Sequence, residues 1–342
     1  AEGHGLIGLV PAVQIYRELN GLKNNFKNYD HILGAYHSAL SYPPLSFLVV
    51  VLFYIIFGLQ GQMVVMVNSF YIATTLICVY LIGKHIFNKP TGLLAAFILS
   101  SFPGFIGFSR VYWIEFGLMA YVTLDLYLLL KTNLLESRKY SILLGITSAL
   151  SFLHKPEFIF FVIGPLLFVT YKAGILKDIF KARWSKKATN LALTFGLAVL
   201  LTSFWWGRYG KQILGRMIET SRSLSDSSKG LDGITYVQKI LSPELLTFYL
   251  RSISWMISIF FFALFILSAA FIFIKIIIKA EKRFYLLFLL MSFITPYIIF
   301  TLFLNKSSTH MLSMLVCIAI LIGAGLYFVK NKIFKIILAS LI

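Results

Sequence analysis

Charge is scarce in this sequence. Asp, Glu, Lys and Arg make up 13% of the 342 residues, and only 13 side chains are acidic. A soluble domain carries ~25% charged residues. So few charges cannot clothe a water-facing surface, which excludes a soluble enzyme, a disordered chain and a fibrous protein. Cysteine is nearly absent: Cys78 and Cys317 both lie in apolar runs, so neither a disulfide framework nor a CxxC metal site is present. No HExxH or Cys/His spacing marks a metal centre. The charged stretch and apolar core of a signal peptide are also missing. The chain starts at Ala1 rather than Met and ends in apolar IFKIILASLI. It is therefore expected to be a fragment with a membrane span before Ala1.

Apolar residues are abundant, at 59%, and the mean hydropathy is +0.85. A helix that crosses a bilayer needs ~20 mainly apolar residues. Such runs occur near 62–83, 91–109, 114–130, 141–154, 157–171, 189–206, 249–274, 284–304 and 310–329, and a last one starts at 333. The expected fold is all-α and polytopic, with about nine to ten spans. The net charge of +18 reads as topology, not as nucleic-acid binding. Of the 31 Lys and Arg residues, 18 fall in segments 84–90, 131–140, 172–187, 275–283 and 330–335, against the acids Glu136, Asp178 and Glu281. The positive-inside rule makes these segments cytoplasmic.

Parity then places the remaining polar clusters on the external face. An even number of crossings must separate neighbouring cytoplasmic loops. This puts Ser109 to Glu115, His154 to Glu157, the loop 207–248, and Asn305 to Thr309 outside. The run 45–59 follows Pro43-Pro44 and is short for a span. It is expected to be an interfacial helix, with residues 1–42 external; a true span there would put 1–42 inside. The stretch LIGLVPAVQIYREL suits a membrane surface. The expected organisation is an external segment 1–61, a transmembrane module 62–206, an external loop 207–248 and a second module 249–342.

Ionisable groups at a membrane boundary are costly unless paired or wet, which makes them functional candidates. The external clusters are Glu2, His4, Asp30, His31 and His37; Arg110 and Glu115; His154, Lys155 and Glu157; and Lys306 with His310, joined by Arg208, Lys211, Arg216 and Arg222. Each has a plain structural alternative. Lys155, Glu157 and Lys306 can be interfacial anchors. Arg110 and Glu115 can form a short-loop ion pair. Asp125 lies inside a span and suits a helix–helix hydrogen bond. Convergence on one face favours chemistry on an anionic, membrane-bound substrate. A carboxylate there takes a proton from an acceptor hydroxyl, and cations hold a phosphate leaving group.

Four elements then carry a resemblance: SYPPLSFLVVVLFYIIFG; the stretch from VNSFYIATTL to YVTLDLYLLL with SRVYWIE inside it; YSILLGITSALSFLHKPEFIFFVIGPLLF; and FLFLNKSSTHMLSMLVCIAILIGAGL. In order and spacing over roughly 1–330, the chain resembles the GT-C superfamily of integral-membrane glycosyltransferases. The similar branch holds protein O-mannosyltransferases, aminoarabinose transferase and the RgtA/B/C/D-like transferases. The resemblance implies a polyprenyl-phosphate-linked sugar donor, a lipid, glycan or protein acceptor, and inverting transfer on the non-cytoplasmic face. In a prokaryote that is the external face of the plasma membrane. It implies catalytic roles for Glu115 and Glu2, where Glu2 replaces the family's first-loop Asp unless that Asp lies upstream. Arg110, Lys155, Lys306, His310 and Arg208 become donor-phosphate contacts, and His4, His37, His154 and Glu157 further candidates. A divalent metal is compatible with the superfamily, and none is assigned. The rival readings are a transporter or lipid flippase, with internal repeats and broken helices at mid-depth, and a non-catalytic membrane scaffold.

Overall fold

The computed structural model describes residues 43–59, 61–181, 184–226, 242–278, 282–302 and 306–328. The candidates Glu2, His4, Asp30, His31 and His37, the amphipathic stretch near the N-terminus and the run from 333 lie outside the described residues.

The elements follow the apolar runs closely. They are α1 (Leu45–Phe57), α2 (Gly61–Ile86), α3 (Lys89–Ser100), α4 (Pro103–Ser109), α5 (Ile114–Lys131), α6 (Arg138–His154), α7 (Phe158–Lys172), α8 (Ile175–Phe180), α9 (Lys186–Asp226), α10 (Pro243–Ile277), α11 (Arg283–Leu302) and α12 (Leu312–Phe328). A 3₁₀ turn, Ser308–Met311, leads into α12. Local chemistry sets several boundaries. Asn88 caps α3 by accepting from the Thr91 N–H, with a proline in the first turn. Ser242 caps α10 in the same way. Gly58, at a φ of 84°, ends α1.

Five helices are long and apolar enough to cross a bilayer, namely α2, the Lys186–Lys211 part of α9, α10, α11 and the segment containing α12; the bent pair α3–α4 makes up to six. The expected nine to ten spans are not reached by this measure. Helix α5 carries Glu115, Asp125 and Lys131, and α6 and α7 have only 17 and 15 residues. Helix α1 has 13 residues, about 20 Å at ~1.5 Å per residue. That is short of a ~30 Å hydrocarbon core. Large apolar side chains such as Leu52, Ile56, Phe70, Leu93, Leu200, Phe204, Trp255 and Ile259 face outward. Apolar surface of this extent belongs in lipid. The protein is an integral, multi-pass membrane protein.

Helix α12 forms the axis. Every residue from Leu312 to Leu326 is buried, and the helix packs on α10, α3, α5, α11 and α2. Helices α2 and α3 form a close hairpin, because a Cβ on Gly83 would sit 2.6 Å from the Gly92 Cα. The run 91–109 is not one continuous helix. It bends by 61° between α3 and α4, where Pro103 opens a new helix. Helix α10 also breaks, at Ser258 (φ 69°, ψ 160°). The two breaks adjoin: Gly104 packs on Met256, and Phe102 meets Phe261 edge-on at 5.1 Å.

Helix α9 is a further departure. It runs for 41 residues through Asp226, so residues 207–226, expected to be loop, continue the helix. No proline interrupts this stretch, and Gly207, Gly210 and Gly215 do not break it.

The basic turns gather at one end of the bundle. Lys282 Nζ donates to the Ile86 carbonyl at 2.7 Å, and Phe87 meets Tyr327 and Phe328. Asn190 donates to the Leu135 and Glu136 carbonyls, and Lys187 pairs with Glu136 at 3.2 Å. Phe168 stacks on Phe284. The start of α5, the end of α6 and the start of α12 lie at the other end.

Candidate active site

The site is built where α5 begins and α6 ends. Glu115 sits in the first turn of α5, and Lys155 follows the last residue of α6. Lys155 Nζ donates to Glu115 Oε1 at 3.2 Å and lies 3.7 Å from Glu157 Oε1; the side chains of Lys155, Glu115 and Glu157 are 6%, 13% and 27% exposed. Burying one charge alone would cost several kcal/mol. Three features offset that cost at Glu115: the Lys155 ammonium, its own backbone N–H, and the positive end of the α5 dipole. Two carboxylates around one ammonium leave an excess negative charge. Lys155 thus faces both acids at once.

Helix α12 brings the next member. His310 lies near enough to Glu115 and Lys155 to interact with both electrostatically. The His310 ring stacks on Phe300 at 4.9 Å. The hydroxyl of Tyr249, from α10, lies 3.5 Å from His310 Nδ1. Lys306 rests over the Tyr249 ring at 5.0 Å and donates to the Phe300 and Thr301 carbonyls at 2.9 and 2.5 Å. It thus caps α11. Partial burial pulls its ammonium below the usual lysine range.

The turn before α5 is held from two sides. Buried Asn68 donates to the carbonyls of Ser109 (3.1 Å) and Val111 (2.7 Å), on either side of Arg110. The Tyr112 hydroxyl donates to the Ser46 carbonyl of α1 at 3.0 Å. Burial, with the nearby Glu115 charge, pushes the Tyr112 phenol well above its usual range. Its proton therefore stays in place at working pH.

The structure brings together Glu115, His154, Lys155, Glu157 and His310, with Lys306 alongside through Tyr249. It does not bring in Arg110, which is exposed on the clasped turn, or Arg208, which is exposed on α9 and lies 5.7 Å from the Tyr209 ring. Asp125 takes the expected helix–helix role: its Oδ2 accepts from Ser148 and Ser151 at 3.2 and 3.1 Å, joining α5 to α6. Lys211 is exposed, and the side chains of Arg216 and Arg222 lie outside the description. Among the described residues, no group of three or more His, Cys, Asp or Glu side chains is placed to hold a metal. Tyr249 and Asn68 were not legible as site residues. Each sits in a mainly apolar run, and no local motif ties it to the site.

Residues 41–206 match the family model of dolichyl-phosphate-mannose-protein mannosyltransferase. No curated protein sequence matches the chain. Solved structures match over 88% of its length. ArnT from Cupriavidus metallidurans superposes in its apo state with a TM-score of 0.61 at 12% identity, over 52% of its own chain. The same protein bound to undecaprenyl phosphate gives 0.61 at 13% identity, over 53%.

The chain has the GT-C fold.

A second protein is consistent with that. The archaeal oligosaccharyltransferase AglB from Archaeoglobus fulgidus, in complex with an inhibitory peptide and a dolichol-phosphate, matches with a TM-score of 0.53 at 14% identity, over 46% of its chain. The chain thus spans about half the length of the solved GT-C structures it matches.

Proposed function

We propose that this protein is a membrane glycosyltransferase. It moves a sugar from a polyprenyl-phosphate-linked donor to an acceptor on the non-cytoplasmic face, with inversion at the sugar carbon. One observation carries the reading: within a GT-C fold, the buried Glu115–Lys155–Glu157 group gathers with His310 close by. It does so at the end opposite the basic turns. The positive-inside rule makes those turns cytoplasmic, so the group faces outward. Undecaprenyl phosphate in ArnT and dolichol-phosphate in AglB support the class of donor.

The chemistry divides between two sides of the site. The acceptor hydroxyl attacks the sugar carbon from the face opposite the phosphate. Its proton passes to a carboxylate, Glu115 or Glu2, the C–O bond to the phosphate breaks, and the lipid phosphate leaves with the electron pair. Lys155 holds Glu115 in place. Lys155 and Lys306 are the candidate cations for the phosphate at this end, with His310 as a hydrogen-bond donor; Arg110 and Arg208, which lie apart from the group, stay candidates that substrate binding would have to bring in. Glu157 lies beside the pair, and His4 and His37 stay candidates from the N-terminal segment. Transport is disfavoured, because the adjoining breaks in α3–α4 and α10 are lined by Phe102, Phe105, Met256 and Phe261.

The test is Glu115→Gln in the full-length protein in lipid nanodiscs, supplied with labelled mannosyl-, glucosyl- and aminoarabinosyl-phosphoryl-undecaprenol and an extract of native membranes. Transfer should fall by ~100-fold or more, while folded yield holds because Glu157 still faces Lys155. Wild-type transfer by the variant would overturn the proposal.

A further inference from the structure

The acid–base pair needs its two helices in register, and one buried side chain is placed to set it. His154 is the last residue of α6 and is fully buried. Its Nε2 lies 2.8 Å from the Ile114 carbonyl oxygen. A carbonyl only accepts, so Nε2 carries the proton and donates. Ile114 immediately precedes Glu115, and His154 immediately precedes Lys155. The bond therefore ties the chain at the acid to the chain at the base, one residue back on each side. The next polar ties between α5 and α6 come from Asp125, ten residues along α5 and about 15 Å away.

The ring is seated by its surroundings. Tyr71 meets it edge-on at 5.6 Å, and Tyr121 lies tilted at 5.2 Å. Beneath it is Gly117, where a Cβ would overlap the His154 ring and come 3.0 Å from Tyr71 Cζ. Only glycine lets the imidazole lie against α5 and reach the Ile114 carbonyl.

We propose that His154 is a positioning residue: its Nε2–H, seated on Gly117, fixes the first turn of α5 so that Glu115 meets Lys155. The functional weight of the pair rests on the glycosyl-transfer reading above; the clamp itself does not.

The test uses the full-length protein in nanodiscs and three variants. His154→Gln keeps an N–H that can reach the Ile114 carbonyl. His154→Phe keeps the ring in its aromatic cage but removes the donor. Gly117→Ala displaces the ring. The first readout is the rate at which sulfo-NHS-acetate labels Lys155, followed by mass spectrometry with exposed Lys211 as reference. The second is sugar transfer from the undecaprenol donors named above. Labelling of Lys155 should rise about tenfold in His154→Phe and Gly117→Ala, with kcat falling by a similar factor and donor KM unchanged, the scale of one lost buried hydrogen bond. His154→Gln should stay within about twofold of the parent in both readouts. Unchanged labelling in His154→Phe overturns the clamp. So does the reverse order, with Phe tolerated and Gln not, because packing alone would then explain His154. If Gly117→Ala does not fold, the Phe and Gln pair decides. If labelling follows the expected order while transfer ignores Glu115→Gln, the clamp stands and the glycosyl-transfer reading falls.

Discussion

The two ends of the bundle use similar side chains for different purposes. At the basic end, polar side chains satisfy backbone. Asn190 gives its amide hydrogens to the Leu135 and Glu136 carbonyls, at the end of a turn in which Asn133, Leu134 and Leu135 hold left-handed φ. Lys282 caps α2 and lies 4.9 Å from the Tyr327 ring. At the other end Asn68 clasps a turn in the same way, and Lys306 caps α11 over Tyr249. There the buried ionisable groups also face one another. Capping alone does not need Glu115, Lys155 and Glu157 in one place. That surplus of buried charge sets this end apart from the basic one, and it is where the proposed chemistry is placed.

The ion pairs give the sharpest way to break the comparison. Lys155→Ala strands buried Glu115 and should cost about 3–5 kcal/mol, seen as a large drop in thermal unfolding temperature and folded yield. Lys187→Ala removes a pair whose Glu136 side chain is 54% exposed. It should cost about 1 kcal/mol or less. Equal losses would mean that the two ends do not differ.

The capping residues come next. Asn68→Ala and Asn190→Ala should each destabilise by about 1–2 kcal/mol, since each removes a buried amide that donates to two turn carbonyls. Only Asn68→Ala should also reduce sugar transfer, because it frees the turn that displays Arg110. Lys306→Met and Lys282→Met should each cost about 1–2 kcal/mol in thermal unfolding. Only Lys306→Met should also weaken binding of undecaprenyl phosphate, followed by native mass spectrometry. Unchanged binding would make Lys306 a cap and nothing more.

The smallest expected effect lies between the ends. Ser258 holds a φ and ψ that only glycine adopts without strain. Ser258→Gly should therefore raise stability by about 1 kcal/mol, read as a higher unfolding temperature with unchanged transfer. A lower temperature would show that the serine side chain stabilises the break.

Hydropathy made most helices legible, because a run of apolar residues in a bilayer has few alternatives to helix. Glu115, Lys155, Glu157 and His310 stood out as charges interrupting grease, and the structure unites them. Other features needed three-dimensional neighbours. Gly117 is one of 23 glycines, and only the ring above it explains it. Tyr249 sits in an apolar run whose meeting with α11 and α12 no local pattern shows. The break at Pro103 was hidden because the residues on both sides are equally apolar. The helical stretch to Asp226 was hidden for the opposite reason: its polar composition reads as loop, yet nothing in it stops a helix already under way. Glu2, His4 and His37 lie outside the described residues and keep their standing as expectations.

Helix α12 follows all the other described helices in the chain, yet it occupies the middle of the bundle. During synthesis its neighbours reach the bilayer first and must wait around an unfilled centre. The bundle closes only once residues near Phe328 have left the ribosome. Assembly of these helices therefore waits for α12, and a nascent chain halted before that point would hold its outer helices without the post that organises them.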